Sequence, residues 1–186
     1  MASQVSIANR ALALLGANTI SAFDDGSTEA NIIRAIYADA RDAVLRSAPW
    51  GCATFRASLA QNTTDPLFEW DKSYQLPTDP YCLAVLSLKE TDEYRIEGRN
   101  LLCNYDSANI RYIGRVTDPG LFDPALVWAL ATRIAAESCY ALTQNRTQAG
   151  DMWALAQQAL EDAVIADGSE VRFDDIISDS LLIVRE

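Results

Sequence analysis

The chain has 186 residues, of which 49% are hydrophobic and 22% are charged, and these proportions are ordinary for a globular protein. Its 15 basic and 26 acidic residues give a net charge of −11, which excludes a protein that holds free nucleic acid through phosphate contacts. Histidine is absent, which excludes Ser-His-Asp and Cys-His catalysis and the HExxH type of metal site.

Cysteine spacing and hydropathy add to these exclusions. Four cysteines lie far apart without a CxxC pair, which favours reduced, buried thiols over a zinc site or a disulfide framework; they are Cys52, Cys82, Cys103 and Cys139. The most apolar run, residues 125–142, contains Arg133 and Glu137, so we expect no membrane span. The first ten residues lack a basic stretch followed by an apolar core, so we expect no signal peptide and a chain that stays in the cytoplasm.

The first predicted element is an amphipathic helix over residues 3–15. Its apolar residues recur at helical spacing and are Val5, Ala8, Leu12 and Leu15. Gly16 follows, and glycine readily takes the left-handed conformation that ends many helices. A loop over residues 18–25 is predicted to lead to the next element.

A second helix is predicted to begin at Ser27 or Thr28, either of which suits the capping position, and to run to about Ala48. Asp42 and Arg46 are four residues apart, so we expect an ion pair on the outer face of this helix. The acidic residues 24–25 predict a turn rather than a calcium loop, because the further ligands of such a loop are missing.

Residues 49–59 predict a packed corner after the second helix. Pro49 ends that helix because its ring clashes with the preceding turn. Trp50 is predicted to fold back over the apolar stripe, where burial of an indole stabilises strongly. Arg56 is either solvated or in contact with another chain, and the spacing of the residues leaves both alternatives open.

Residues 65–117 predict an antiparallel β meander inserted between two helical halves. The short, partly alternating segments that predict its strands are 73–76, 81–88, 93–97, 100–104 and 109–116. The dipeptides Gly98-Arg99 and Asp106-Ser107 are typical of hairpin turns between neighbouring strands. The double-proline stretch 76–80 is predicted to separate the first two strands.

The second helical half is predicted over residues 118–168. Asp123-Pro124 is a capping and first-turn pair that opens a helix ending near Gln144. This helix is apolar on nearly every side, so we expect it at the centre of a bundle. A fourth helix is predicted over residues 147–167, with Gly168 ending it.

The predicted fold is therefore α+β and mostly helical: an antiparallel four-helix bundle with an inserted antiparallel β meander and an extended C-terminal tail. Four regions follow from the elements: the helical half 1–64, the β insert 65–117, the helical half 118–168 and the tail 169–186. In the tail, acidic residues alternate with apolar ones, namely Ile176, Ile177, Leu181, Leu182, Ile183 and Val184. Such an apolar tail is predicted to dock on a partner by strand addition, or else to pack on its own bundle.

Catalytic chemistry is not indicated by any motif. Neither GxxxxGK[ST] nor GxGxxG is present, so nucleotide chemistry is not expected. A carboxylate pair, as in glycosidases, remains open, but acidic residues are so abundant that no pair stands out. We therefore expect a protein without enzymatic activity, cofactor or metal.

Four segments, in order along residues 4–165, resemble those of one protein family. They are Asn9-Arg10-Ala11-Leu12 with Leu15-Gly16 and Ile20; Leu45, Pro49-Trp50, Ala53, Arg56 and Leu59; Trp70 with residues 74–79; and residues 112–137. The family is the tail tubular protein A family of head-to-tail adaptors in short-tailed bacteriophages. The resemblance implies a structural virion protein, a helical bundle with a β insert, assembled in the bacterial cytoplasm.

The resemblance further implies a ring, typically a dodecamer, that joins the portal protein to the tail nozzle protein at the head-tail junction. Genomic DNA would pass through its lumen without specific binding, during both retention and ejection. The distribution of charge along the chain separately predicts that acidic residues of the β insert or of the helical half face this lumen. Candidate contacts with partners or other subunits are Arg46, Trp50, Arg56, Ile176, Ile177, Leu181, Leu182, Ile183 and Val184. The alternatives are a tail-associated glycan hydrolase with a carboxylate pair and a monomeric assembly factor of the same fold.

Overall fold

The computed structural model describes residues 2–90 and 93–170, except for the side chains of residues 169 and 170. Its helices are α1 (Gln4–Leu15), α2 (Thr28–Arg46), α3 (Pro124–Thr143) and α4 (Arg146–Glu170). Its strands are β1 (Thr54–Ser58), β2 (Lys72–Gln75), β3 (Cys82–Leu88), β4 (Arg95–Glu97), β5 (Asn100–Cys103) and β6 (Asn109–Gly114). Two 3-10 turns, Gly51–Ala53 and Pro119–Leu121, precede β1 and α3.

Three helices begin at or next to the residues predicted for their starts, and each start is capped by a side chain. The Ser3 hydroxyl accepts a hydrogen bond from the Ser6 amide at 3.0 Å, and the Ser27 hydroxyl accepts one from the Ala30 amide at 3.1 Å. The Asp123 carboxylate accepts hydrogen bonds from two amides of the first turn of α3. The predictions for the starts of α1, α2 and α3 are thus confirmed, because these signals act within one helical turn.

The helix ends agree less well with the sequence. Gly16 ends α1 in the left-handed conformation, with φ of 67°, as predicted. Helix α2 ends at Arg46, two residues before the predicted Ala48. Helix α4 continues through Gly168, so the predicted stop there is wrong. A glycine inside a helix costs only about 1 kcal/mol, so it need not end one.

The predicted single meander is wrong, because the strands form two three-stranded antiparallel sheets. We call them sheet A, in the order β1-β6-β3, and sheet B, in the order β2-β5-β4. Gly98 makes the predicted hairpin turn between β4 and β5, with a left-handed φ of 58°. Residues 106–107, in contrast, lead from sheet B to sheet A and join no hairpin. Residues 54–58, which fall in the predicted helical half 1–64, form β1 and pair with β6.

The predicted four-helix bundle is also wrong, because α3 packs against α1, α2 and α4 while those three helices hardly meet one another. The rest of the core around α3 comes from sheet A, through Ile113 and the adjoining Val116. The other face of sheet A packs through Tyr112 onto sheet B. The layers are therefore helices, sheet A and sheet B, with two hydrophobic clusters between them.

The most apolar run of the sequence, residues 125–142, lies within helix α3. Among the described residues it alone has the length and apolar composition of a membrane-spanning helix, and 56% of that apolar stretch is buried inside the protein. Arg133 and Glu137 form an ion pair on it. The burial of α3 is that of a core helix contacted by three others.

Candidate functional site

The Trp50 corner has the packing role predicted for it. Trp50 is 0% exposed, and its indole nitrogen donates a hydrogen bond to the Val44 carbonyl at 2.9 Å. The Thr54 hydroxyl donates to the Trp50 carbonyl at 2.8 Å, which connects the corner to β1. Because this side chain has no free surface, Trp50 as a contact for another subunit is a wrong prediction.

Arg46 is exposed, but it is already engaged within the chain. Its guanidinium donates to the Leu83 carbonyl of β3 at 2.8 Å. The predicted ion pair of Arg46 with Asp42 is wrong, because Asp42 binds Arg41 at 2.8 Å and Arg115 at 2.6 Å. Arg46 therefore holds α2 against the edge of sheet A.

Arg56 lies in the candidate site, which is a group of cations at one end of sheet A. We call it the cationic end, and its cations are Arg56 on β1, Arg111 on β6 and Lys89 just after β3. Arg56 lies directly opposite Arg111 in the register of the two strands. Around them is a concavity of about 610 Å³ whose walls also include Ser58, Ser87 and Asn109. Positive charge and hydroxyl or amide donors together suit an anionic ligand.

The cationic end is exposed because the helices cover only part of sheet A. Side chains two residues apart on a strand share a face, so Arg111 and Ile113 lie on the same side of β6. Ile113 is buried in the cluster shared with the helices, whereas Arg111 is exposed. The same face of the sheet is therefore apolar beneath the helices and cationic beyond them.

The three cations make no intramolecular hydrogen bond or salt bridge. Within residues 2–90 and 93–168, five cationic side chains have neither a hydrogen bond nor a salt bridge: Arg10, Arg56, Lys89, Arg111 and Arg146. Three of these five lie at the cationic end, and Arg10 stacks on the Trp128 ring instead. Like charges directly opposite on paired strands are destabilising, so this arrangement favours a bound counter-charge.

Glu90 is a carboxylate that follows Lys89 in the chain and bonds Asn109 in the wall of the concavity. The Asn109 backbone amide donates to it at 3.1 Å, and the Asn109 side-chain amide donates as well. Desolvation acts to raise the pKa of Glu90, but these hydrogen bonds outweigh it and leave that pKa below its usual value. Glu90 is therefore ionised near neutral pH, and its charge interacts favourably with that of Lys89.

Two apolar surfaces lie in different layers. The first, which we call the loop tip, is Leu67 and Phe68, exposed by 96% and 73%, in the loop that covers the outer side of sheet B. The second, which we call the helical groove, is a concavity of about 340 Å³ between α2 and α4. Its rim carries Trp153, which is 44% exposed and lies under the Arg133 guanidinium, 4.6 Å from the ring centroid.

The acidic residues with shifted pKa values do not support catalysis by a carboxylate pair. The Ser27 hydroxyl, followed by the backbone amides of Ser27 and Ser21, lowers the pKa of Asp25 to about 2. The pKa of Glu29 is lowered too, by its own backbone amide and by Asn18. A glycosidase general acid needs a raised pKa, so neither is a candidate. Within the described ranges, no group of three or more metal-ligating side chains is present.

The thiols are free in the part of the chain that the structure describes, and Cys82, Cys103 and Cys139 are buried. Cys52 is half-buried. Burial, together with the carboxylates of Asp123 and Asp167, raises the pKa of Cys52 to about 11. This thiol is therefore protonated at neutral pH and is not an activated nucleophile.

Some of the residues that carry the family resemblance make structural contacts. The Asn9 side chain bonds both backbone groups of Ile20, at 2.9 and 2.7 Å, and so fixes the loop after α1. The Arg10 guanidinium lies 4.3 Å from the centre of the Trp128 ring. The first and the last of the four segments therefore touch each other.

Comparison with known proteins adds no relative: no family model and no curated protein matches this chain.

The predicted tail contacts Ile176, Ile177, Leu181, Leu182, Ile183 and Val184 lie outside the described residues. Reasoning from the sequence missed Lys89, Arg111 and the loop tip. The alternation of apolar and polar residues along β6 could have shown which face of the strand carries Arg111. Only the register of β1 with β6 shows that Arg111 lies opposite Arg56.

Proposed function

We propose that the chain is a structural virion protein, a head-to-tail adaptor that forms a ring between the portal protein and the tail nozzle protein of a short-tailed phage. The observation that carries the proposal is the pair of apolar surfaces in different layers. The loop tip lies on the far side of sheet B, and the helical groove lies among the helices, with sheet A between them. The four resembling segments support the same function.

An adaptor needs two docking surfaces that can be occupied at once. Exposed apolar side chains mark contact sites when they lie close together, as Leu67 and Phe68 do. A groove lined by small side chains such as Ala43, Ala129 and Ala156 accepts an apolar helix or segment. Each surface therefore suits one of two different partners, and the two do not overlap.

The ring would surround genomic DNA without binding it specifically. Exposed acids on α4 are Asp151, Glu161 and Asp162, and no cation follows Arg146 on that helix. Like charges repel, so an acidic wall lets a polyanion pass without adhering. We propose α4 as the lumen-facing element and the head-tail junction as the location, after assembly in the host cytoplasm.

Electron microscopy of the full chain mixed with its cognate portal protein tests the function. We expect rings seated on the portal, with density for this chain between the portal and the nozzle when the nozzle protein is added. Free chain without portal serves as the reference. Absence of any ring in the presence of both partners would refute the adaptor function.

Two variants separate the surfaces. Leu67→Ser with Phe68→Ser should lose one partner, and Trp153→Ser should weaken the other, because each removes exposed apolar area from one surface only. Pull-down with the portal and with the nozzle protein, each taken separately, measures both effects. If both variants bind both partners as the wild type does, the two apolar surfaces are not docking sites.

A further inference from the structure

The two sheets have four edge strands, and the outer edge of β2 is covered by the chain itself. The Gln75 amide donates to the Ala60 carbonyl at 3.1 Å, and the Asn62 amide donates to the Ser73 carbonyl at 2.8 Å. At the other edge of sheet B, β4 is three residues long and has a charged residue at each end. Short, charged edges resist the addition of a further strand.

Two arginine side chains engage the beginning of β3, which is one edge of sheet A. The Arg46 guanidinium donates to the Leu83 carbonyl at 2.8 Å, and the Arg99 guanidinium donates to the Cys82 carbonyl at 2.7 Å. The pairing of β3 with β6 also contains two shifts of register. An irregular strand whose carbonyls are already in use is a poor template for a further strand.

The remaining edge strand is β1, and one contact shows which of its backbone groups face outward. The Leu59 amide, just after β1, donates to the Ala108 carbonyl at 2.8 Å, so these two residues form a hydrogen-bonded pair. In an antiparallel ladder such pairs alternate with pairs that are not hydrogen-bonded. The register of β1 with β6 has no shift, so the alternation continues along the strand. The residues whose amides and carbonyls both point away from β6 include Arg56 and Ser58.

The outward backbone groups of Arg56 and Ser58 are open. Both residues are exposed. No hydrogen bond from the described part of the chain reaches their amides or carbonyls. Unpaired amide and carbonyl groups of this kind are a template for another strand. The β1 edge can therefore accept a strand that the other three edges resist.

Cations lie beside the same edge. Arg56 and Arg111 are opposite each other at a position without hydrogen bonds between the two residues, where side chains are closest. Lys89 adds a third charge to the same concavity. None of the three makes a hydrogen bond or a salt bridge within the described residues. A basic strand would add like charge here, whereas carboxylates would compensate the charge.

The two faces of β1 differ in character. Arg56 is exposed, whereas Phe55 and Ala57 are half-buried and pack against the cluster between the two sheets. Side chains alternate between the faces of an extended strand. A segment in which acidic and apolar residues alternate therefore places carboxylates beside Arg56 and apolar side chains beside Phe55 and Ala57.

Other occupants use this surface less well. Two copies of β1 paired about Arg56 would bring two further like charges together. A free anion such as phosphate would pair with the cations but leave the backbone edge unused. The net charge of −11 disfavours a nucleic acid. An acidic extended segment of another protein uses both the backbone edge and the cations.

We propose that the β1 edge and the cationic end together bind an extended acidic segment of another protein, which joins sheet A as a fourth strand beside β1. Backbone hydrogen bonds to Arg56 and Ser58 hold the segment, and the guanidinium groups of Arg56 and Arg111 select its carboxylates. The proposal does not rest on the adaptor function, because neither the loop tip nor the helical groove takes part.

Nuclear magnetic resonance on the full chain tests the proposal, with the peptide Val-Asp-Val-Asp-Val-Asp-Val, blocked at both ends, as the probe. On titration we expect the backbone amide signals of Arg56 and Ser58 to shift, because these amides gain hydrogen bonds. The amide signals of Phe55 and Ala57 should shift much less, because these amides already bond to β6. Equal shifts along β1, or no shifts, would overturn the proposal.

Two control peptides separate the effect of charge from that of the strand pattern. The peptide Val-Asn-Val-Asn-Val-Asn-Val keeps the alternation and removes the charge, whereas Val-Val-Val-Val-Asp-Asp-Asp keeps the composition and removes the alternation. We expect each to bind about tenfold more weakly than the probe, because each loses the match to at least one face of β1. A control peptide that binds as tightly as the probe would contradict the proposed recognition.

A pair of variants tests the role of the cations. Arg56→Gln with Arg111→Gln should weaken binding of the probe about tenfold. Arg146→Gln is the matched control, because Arg146 is exposed, makes no hydrogen bond or salt bridge and lies outside the cationic end. Equal affinity in these two variants and the wild type would show that the cations do not select the segment.

Ser58→Pro tests the backbone edge while the cations stay in place. It removes an outward amide that β6 does not use, and proline is tolerated on an edge strand where the amide faces solvent. Circular dichroism checks that the variant folds, and we expect it to lose binding of the probe. Binding as in the wild type would overturn the proposal. So would tighter binding of inorganic phosphate or duplex DNA than of the probe, because the cationic end would then be a general anion site.

Discussion

The indole nitrogen of Trp50 donates to the carbonyl oxygen of Val44 at 2.9 Å, across the break that Pro49 makes after α2. The side chain is fully buried in the cluster that joins the helices to sheet A. This contact turns the chain from the last turn of α2 into β1. It therefore links the helical layer to the strand on which Arg56 lies.

Replacing Trp50 should be costly for stability. Trp50→Ala removes a buried indole and leaves a cavity, so we expect the free energy of unfolding to fall by about 3–5 kcal/mol. Urea denaturation, monitored by circular dichroism, measures the change in the free energy of unfolding. The control is Trp153→Ala, which removes a side chain that is 44% exposed and should cost much less. Equal losses for the two variants would contradict the central position of Trp50.

Gly114 on β6 should not tolerate a side chain. A Cβ atom at this position would lie 2.6 Å from Cδ2 of Phe55 and 2.9 Å from Cβ of Pro80. We expect Gly114→Ala to lower the free energy of unfolding by about 1–3 kcal/mol through overpacking. The matched control is Gly150→Ala on α4, where no atom lies within 4 Å and alanine should stabilise by about 0.5–1 kcal/mol. Thermal unfolding of both variants measures whether each substitution lowers or raises the stability.

Ser27 should control the titration of Asp25. The Ser27 hydroxyl donates to Asp25 at 2.6 Å and is the main cause of its low pKa, about 2. We expect Ser27→Ala to raise the pKa of Asp25 toward the ordinary value of 3.8, measured by carboxyl carbon NMR across a pH titration. Ser21→Ala should change the pKa little, because the Ser21 backbone amide still donates at 3.1 Å.

The sign of the effect on stability follows from that lowered pKa. The folded state holds the ionised form of Asp25 more favourably than the unfolded chain does, so this contribution is fully present above the unfolded pKa. It is lost as the pH falls from about 4 through about 2. In Ser27→Ala the loss of stability over this pH interval should be smaller than in the wild type. An unchanged slope would show that Asp25 contributes nothing to acid sensitivity.

Asp42 should be the most sensitive of the ion-paired carboxylates. Arg41 is only 8% exposed, and Asp42 is its hydrogen-bond and salt-bridge partner at 2.8 Å. Asp42→Asn would leave this guanidinium buried without a counter-charge, so we expect a loss of about 3–5 kcal/mol in the free energy of unfolding. Glu97→Gln removes only an exposed pair with Arg95 and should cost about 0–1 kcal/mol. Urea denaturation is the suitable measurement for the two variants, because guanidinium chloride is a salt and would screen the ion pairs.

Local signals in the sequence determined where the helices begin. The predicted starts of α1, α2 and α3 lie at Ser3, at Ser27 or Thr28, and at Asp123. In the structure Ser3, Ser27 and Asp123 are the caps, and each bonds to amides within the next three residues. The hairpin at Gly98 was equally predictable, since two adjacent residues define such a turn. Composition also identified α3 as central, because a helix without a polar face must be covered on all sides.

Only the tertiary structure decided how the strands pair and where charge accumulates. Nothing local distinguishes residues 106–107, which lead to another sheet, from the true hairpin at Gly98, because strand pairing depends on residues far apart in the chain. Arg56 and Arg111 are 55 positions apart, and only the antiparallel register of β1 with β6 sets them face to face. The candidate site is therefore a product of register, which depends on how the hydrophobic faces of both sheets pack.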